Sequence, residues 1–91
     1  MSIQWLFDVI EDRKHNPKPG SYTASLFSEG LPRITQKVGE EGTEVVVAAL
    51  AQSDQRLIEE VADLAYHTLV LLSARGLNPT QVMAELEKRH K

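Results

Sequence analysis

Apolar residues recur every three or four positions along most of the chain, which is the spacing of helices that bury one face. Four long helices are predicted, each bounded by a capping residue, a proline or a glycine: Ser2 to about Lys14, about Leu31 to Ala51, Ser53–Asp54 to Arg75, and Asn78–Pro79 to His90. No segment shows the strict alternation of a strand. We therefore expect an all-α fold of four to five helices.

The segment between the first two long helices is the least regular part of the chain. Two prolines and a glycine interrupt residues 13–20, and Ser21 can then cap a short turn of helix. Gly30 would close this turn, because glycine tolerates a left-handed helix C-terminus. Inside the next helix, Gly39 and Gly42 should each cost about 1 kcal/mol relative to alanine. They indicate a bend or the close approach of another backbone.

Composition and charge narrow the class of protein. The 91 residues suffice for a single domain, residues 1–91. The formal net charge is −3 and the chain has no block of basic residues that could neutralise phosphates, so we expect no nucleic-acid partner. The absence of cysteine excludes disulfides and thiolate metal sites. No apolar run approaches about 18 residues, so we expect no membrane partner and a cytoplasmic location.

The predicted core is small for a chain stabilised by packing alone. A domain of this size buries only about 60% of the surface that its unfolded form exposes. The helix that ends at Arg75 is apolar almost all round from Val61 to Leu72, which is typical of a helix buried on every side. We therefore expect an antiparallel helical hairpin whose core is completed by dimerisation into a helical bundle, as a homodimer or a higher homo-oligomer.

Acidic residues occupy equivalent positions on the two helices of this hairpin. At about 100° per residue, Glu41 lies within the apolar stripe of its helix and Glu44 flanks it. Glu60 and Asp63 repeat the arrangement on the next helix, so a hairpin would bring four carboxylates together. Buried carboxylates are costly and like charges repel, so a counter-charge is needed. We predict a site for Mg²⁺, with Mn²⁺ as a substitute, because hard cations prefer oxygen ligands.

The same charged residues allow other interpretations. Glu40–Glu41 and Glu59–Glu60 could be solvated helix faces paired with Lys37 and Arg56. The two cations could instead hold the phosphate oxygens of a substrate. His67 could orient a ligating carboxylate or simply lie in the core.

A basic and polar segment precedes the short helix. It offers cations, hydroxyls and an aromatic ring for a nucleotide, although an ordinary linker has the same composition. Together with the two helix cations, it supplies the candidate substrate-binding residues Lys18, Ser21, Tyr22, Lys37 and Arg56.

Two acidic stretches resemble the signature of a known superfamily. The run KVGEEGTEVV at residues 37–46 and the run EVADL at residues 60–64 are similar to the EExxE and ExxD motifs of the all-α, MazG-like nucleotide pyrophosphohydrolases. Residues 21–27, the Tyr66–His67 pair and the segment 75–77 resemble the phosphoribosyl-ATP pyrophosphohydrolases within it. Gly42 departs from this pattern, where alanine is more usual, and should affect packing rather than ligation.

The resemblance implies Mg²⁺-dependent hydrolysis of the α–β phosphoanhydride of phosphoribosyl-ATP to phosphoribosyl-AMP and pyrophosphate, in histidine biosynthesis. It implies that Glu41, Glu44, Glu60 and Asp63 are metal ligands in a dimeric enzyme. Glu40 would be a further ligand or the base that orients the attacking water. The nearest alternative is a pyrophosphohydrolase that removes free nucleoside triphosphates, including damaged ones. A more distant alternative is a helical dimerisation module without catalytic activity.

Overall fold

The computed structural model describes residues 1–91 as five α-helices joined by short connections. The helices are Ile3–His15 (α1), Tyr22–Glu29 (α2), Leu31–Ala51 (α3), Asp54–Ala74 (α4) and Pro79–Arg89 (α5). No strand is present, so the all-α prediction is confirmed. Each end of the four long helices falls within about one residue of its predicted position. None of the five combines the length and apolar character that crossing a bilayer requires.

Side-chain caps explain where four of the helices begin. The hydroxyls of Ser2, Ser21 and Ser53 each accept a hydrogen bond from the backbone N–H three residues later, at 3.0, 3.1 and 3.2 Å. Asn78 closes a capping box with Gln81 at the start of α5. These bonds satisfy amides that have no partner inside a helix. The caps therefore fix the starts of the helices, including that of the eight-residue α2.

The glycines behave differently from the sequence-based expectation. Gly30 separates α2 from α3 with φ 93° and ψ 179°, so its φ is positive but its conformation is not the predicted left-handed helical one. This region of backbone space is nearly exclusive to glycine. Of the bend or close approach predicted at Gly39 and Gly42, no close approach is found within the chain. A Cβ atom at either position would meet no atom within 4 Å outside the neighbouring backbone of α3.

The apolar core lies at one end of the α3–α4 hairpin, which we call the closed end. Its buried residues come from the first four helices: Phe7, Ile10, Leu26, Ile34, Leu69 and Val70. The Lys14 ammonium group also closes this end, because it donates a 2.7 Å hydrogen bond to the carbonyl of Ser73 near the C-terminus of α4. It lies 5.9 Å from the centre of the Phe27 ring. Lys14 thus contributes to the fold.

At the other end of the hairpin, the outer face of residues 46–61 is uncovered, and we call this face the open end. A two-residue connection joins α3 to α4, which pack as the predicted antiparallel hairpin. Large apolar side chains on both helices remain exposed there: Val46, Val47, Leu50, Ile58 and Val61. The chain by itself does not bury α4 on every side, because α1 and α2 cover only the closed end. The further burial by a partner subunit that the apolar run predicts stays a prediction.

Candidate metal centre

Two glutamates lie inside the packed face of the hairpin. Glu41 on α3 is only 5% exposed and Glu60 on α4 only 4%. Asp63, almost one turn after Glu60, is exposed but turns a carboxylate oxygen towards them. Oxygens of these three residues lie within 4.8 Å of one another. The antiparallel packing of α3 and α4 thus brings three acidic side chains to one point.

Glu44 lies beside this group. Its carboxyl group lies beside those of Glu60 and Glu41. Hydrogen bonding of its protonated form to these two carboxylates, together with their negative charges, raises the pKa of Glu44 from 4.5 to about 7. It is not one of the three residues whose oxygens lie within 4.8 Å. It does line, with Glu60 and Arg56, a polar cleft of about 200 Å³. We call the four residues Glu41, Glu44, Glu60 and Asp63 the acidic centre.

A cation one turn earlier on the same helix accompanies each buried glutamate. The ammonium nitrogen of Lys37 lies 3.2 Å from Oε1 of Glu41. Burial raises the pKa of Glu41, but the hydrogen bond and charge of Lys37 outweigh it, and the net pKa is lowered. Arg56 pairs with Oε1 of both Glu59 and Glu60. The structure therefore shows both cations paired with acids, while their contact with phosphate remains a prediction.

Each buried glutamate has one oxygen without a partner. Oε1 of Glu41 and Oε1 of Glu60 face the cations, whereas Oε2 of both side chains is buried and makes no hydrogen bond. A buried carboxylate oxygen without a partner is costly, especially beside other carboxylates. Hard divalent cations bind such oxygens. The donor set of the acidic centre therefore fits Mg²⁺ or Mn²⁺.

Three other candidate residues make contacts outside the acidic centre. The exposed carboxylate of Glu40 lies 3.9 Å from the guanidinium group of Arg33. The hydroxyl oxygen of Ser21 caps α2, and its backbone N–H donates to the carbonyl of Lys18 at 3.1 Å. The side chain of Lys18 is exposed and forms no hydrogen bond or ion pair. The structure does not bring Glu40, Ser21 or Lys18 into the acidic centre, and their roles remain predictions.

Tyr22 is tied to the acidic helix by His67. The imidazole of His67 is 5% exposed, and its Nε2 lies 2.9 Å from the hydroxyl of Tyr22. Its Nδ1 lies 2.7 Å from the backbone carbonyl oxygen of Asp63. His67 is therefore a buried histidine that contacts Asp63 through the main chain. The Tyr22–His67 pair could not be predicted from the sequence, because a contact across 45 residues has no helical spacing.

Comparison with known proteins identifies the family. Residues 4–90 match the sequence model of the family described as Phosphoribosyl-ATP pyrophosphohydrolase. The chain belongs to this family. This match confirms the resemblance seen in the acidic motifs. As a member of the phosphoribosyl-ATP pyrophosphohydrolase family, the chain is an enzyme, a hydrolase that acts on phosphorus-containing anhydrides.

Three curated relatives, each named phosphoribosyl-ATP pyrophosphatase, agree with this assignment. The protein from Sulfurisphaera tokodaii is 50% identical over 98% of this chain and 95% of its own length. The protein from Lacticaseibacillus casei is 52% identical over 97% of this chain and 80% of its own length. The protein from Sulfolobus acidocaldarius is 47% identical over 98% of this chain and 94% of its own length.

The cavities of this pyrophosphohydrolase differ in chemistry as well as in size. The largest, about 670 Å³, lies between the start of α1, α4 and α5, and no charged side chain lines it. The polar cleft of about 200 Å³ is lined by Glu44, Gln52, Arg56 and Glu60. A phosphoanhydride hydrolase binds a highly charged substrate. The smaller cleft is therefore the better candidate for the reaction, because it adjoins the acidic centre.

Proposed function

We propose that this chain hydrolyses the α–β phosphoanhydride of phosphoribosyl-ATP in a Mg²⁺-dependent reaction. The products would be phosphoribosyl-AMP and pyrophosphate, as the second step of L-histidine biosynthesis. The observation that carries the proposal is the convergence of three carboxylates, two with unpartnered buried oxygens, in a member of this family. Residues 1–91 are proposed to form one catalytic domain. Its proposed location is the cytoplasm, as expected for a biosynthetic enzyme.

The acidic centre supplies the proposed metal ligands, Glu41, Glu44, Glu60 and Asp63. A bound Mg²⁺, for which Mn²⁺ could substitute, supplies positive charge that neutralises the triphosphate and makes water a better nucleophile. Glu40 follows Gly39 on the exposed side of α3 and is proposed to orient the attacking water or to act as a further ligand. Its separation from the buried acids leaves it accessible to solvent.

Cations at the edge of the acidic centre are the proposed phosphate-binding groups. Four carboxylates alone would repel a triphosphate, and Lys37 and Arg56 place two positive charges beside them. Arg56 lines the polar cleft and is half-exposed, so its guanidinium group can reach a ligand there. Lys18, Ser21 and Tyr22 are the proposed contacts to the rest of the nucleotide.

We propose that the active form is a homodimer or a higher homo-oligomer. The open end presents five large apolar side chains, and Leu50 is 83% exposed. Monomeric soluble proteins rarely expose a contiguous apolar patch of this kind. A second copy offers the same patch around a two-fold axis. Its association would bury the open end without changing the closed end.

Pyrophosphate release tests the proposed function directly. Phosphoribosyl-ATP, ATP and dCTP would each be incubated with the enzyme in Mg²⁺ and in EDTA. We expect release from phosphoribosyl-ATP alone, and only with Mg²⁺. Turnover that persists in EDTA would contradict the metal dependence. Release from ATP and dCTP instead would favour a pyrophosphohydrolase of free triphosphates, and no release from any of the three would favour a non-catalytic module.

A further inference from the structure

A cluster of polar aromatic side chains joins α2 to α4 beside the acidic centre. Tyr22 and Thr23 lie on α2, and Tyr66 and His67 lie on α4. The hydroxyl of Tyr22 pairs with His67, and the hydroxyl of Thr23 pairs with that of Tyr66. The rings of Tyr22 and Tyr66 are stacked, with centres 6.3 Å apart and planes 28° apart. Two adjacent hydrogen bonds thus connect the same two helices.

The environment of His67 determines the direction of its hydrogen bonds. Nδ1 faces the carbonyl oxygen of Asp63 at 2.7 Å, and a carbonyl only accepts, so Nδ1 carries the hydrogen. In the neutral ring, Nε2 is then an acceptor, and the hydroxyl of Tyr22 donates to it across 2.9 Å. Both nitrogens of the buried imidazole are therefore occupied. Since His67 cannot turn without losing both bonds, the Tyr22 hydroxyl is held in one place.

Tyr22 itself remains open to a ligand. The residue is 49% exposed although its hydroxyl is bound. Tyr22 also influences Lys37: burial lowers the pKa of Lys37, but Glu41 and Tyr22 raise it, and the net pKa is raised. A half-exposed tyrosine of this kind offers a ring on which a nucleobase can stack.

We propose that His67 is a positioning residue, which holds Tyr22 through its hydroxyl so that the tyrosine ring packs against the purine base of the substrate. This inference rests on the proposed function, because it takes the nucleotide as the ligand. His67 touches neither the substrate nor the attacking water and acts through Tyr22. It contributes to substrate affinity, and the chemical step depends on the acidic centre.

Steady-state kinetics of pyrophosphate release from phosphoribosyl-ATP separate these roles. His67→Leu removes the acceptor, and Tyr22→Phe removes the donor but keeps the ring. We expect either change to raise KM by about tenfold, the size of one lost hydrogen bond, with kcat within about twofold of wild type. His67→Gln places an amide oxygen near the position of Nε2 and should restore KM. The double variant should be no worse than His67→Leu alone, because both changes break the same bond.

The neighbouring link provides a matched control. Thr23→Val breaks the hydrogen bond to Tyr66 between the same two helices but leaves the Tyr22–His67 pair, so KM should stay within about twofold of wild type. Circular dichroism checks that each variant is folded. If His67→Leu unfolds, Tyr22→Phe still tests the proposal, because Tyr22 is half-exposed and its substitution is less disruptive. Unchanged KM in Tyr22→Phe, or an equal rise in Thr23→Val, would overturn the proposal. A wild-type enzyme that releases no pyrophosphate would instead overturn the proposed function, and this inference with it.

Discussion

The two ends of the α3–α4 hairpin contain the same kinds of apolar residue but differ in how well they are covered. At the closed end, Ile34 and Val70 are buried beneath α1 and α2, whereas Leu50 and Ile58 at the open end are exposed. The acidic centre lies on the same two helices, where Glu41 and Glu60 are buried between them. The closed end forms its buried core within one chain. In our proposal, a divalent cation completes the acidic centre and a second copy of the chain covers the open end.

The largest expected effect comes from a charge in the acidic centre. Glu60→Gln should lower kcat by at least about 10³-fold, because a metal contributes several kcal/mol and each 1.4 kcal/mol is a factor of ten. Its exposed neighbour supplies the control: Glu59→Gln should stay within about threefold of wild type. Both variants should retain the helical circular dichroism spectrum. Wild-type turnover in Glu60→Gln would refute its role as a ligand.

The same substitution at the two ends gives the next largest effect. Leu26→Ala at the closed end should lower the free energy of unfolding by about 2–5 kcal/mol, because Leu26 is fully buried and the change leaves a cavity. Urea unfolding should give this loss at every protein concentration. Leu50→Ala should cost less than about 0.5 kcal/mol in dilute protein, where Leu50 is exposed. Equal losses in dilute protein would contradict the distinction between the ends.

A charge at the open end should affect assembly more than folding. Ile58 is 62% exposed, so Ile58→Lys should fold normally as a single chain. In the proposed homodimer each chain would carry one such lysine in place of a buried apolar side chain worth about 1.5–3 kcal/mol, so the dimer Kd should rise by roughly 100-fold to 10⁴-fold. Sedimentation equilibrium measures this Kd. A wild-type chain that stays monomeric at all concentrations would exclude the proposed assembly.

The smallest effect is a pH dependence confined to the acidic centre. The pKa of Glu44 is about 7 in the folded chain against 4.5 otherwise, so the folded form binds its proton more tightly. The resulting stabilisation is fully present below about pH 4.5 and is lost as pH rises through about 7. The lowered pKa of Glu41 acts in the opposite direction, but only as pH falls below its ordinary value.

Thermal unfolding in EDTA between about pH 5 and 8 tests this dependence. The Tm of the wild-type chain should fall as pH rises, and Glu44→Gln should remove most of that fall. Added Mg²⁺ should also reduce it by balancing the carboxylates. An equal slope in wild type and Glu44→Gln would show that another group is responsible.

Local signals in the sequence were sufficient for the helices and for the two buried acids. Serine and asparagine caps mark where helices start, and the apolar stripe identifies Glu41 and Glu60 as the inward members of two glutamate pairs. The glutamate beside each of them, at residues 40 and 59, is exposed. Helical periodicity distinguishes these neighbours because one residue rotates the side chain by about 100°.

Contacts between distant helices could not be predicted in the same way. The bond from Lys14 to the Ser73 carbonyl spans 59 residues, and that between Tyr22 and His67 spans 45. Neither has a fixed spacing, so both depend on how the helices pack. The packing around Gly39 could not be predicted either. The cost of a glycine in a helix does not show whether another backbone lies close to it.

Direct metal binding tests the central claim, that a divalent cation completes the acidic centre. Metal-free wild-type chain and the Glu41→Gln/Glu60→Gln variant would be titrated with Mn²⁺, and free Mn²⁺ would be followed by electron paramagnetic resonance. We predict saturable binding to the wild type and at least about 100-fold weaker binding to the variant, since both unpartnered carboxylate oxygens lose their charge. No saturable binding to the wild type, or equal binding to both, would contradict the claim.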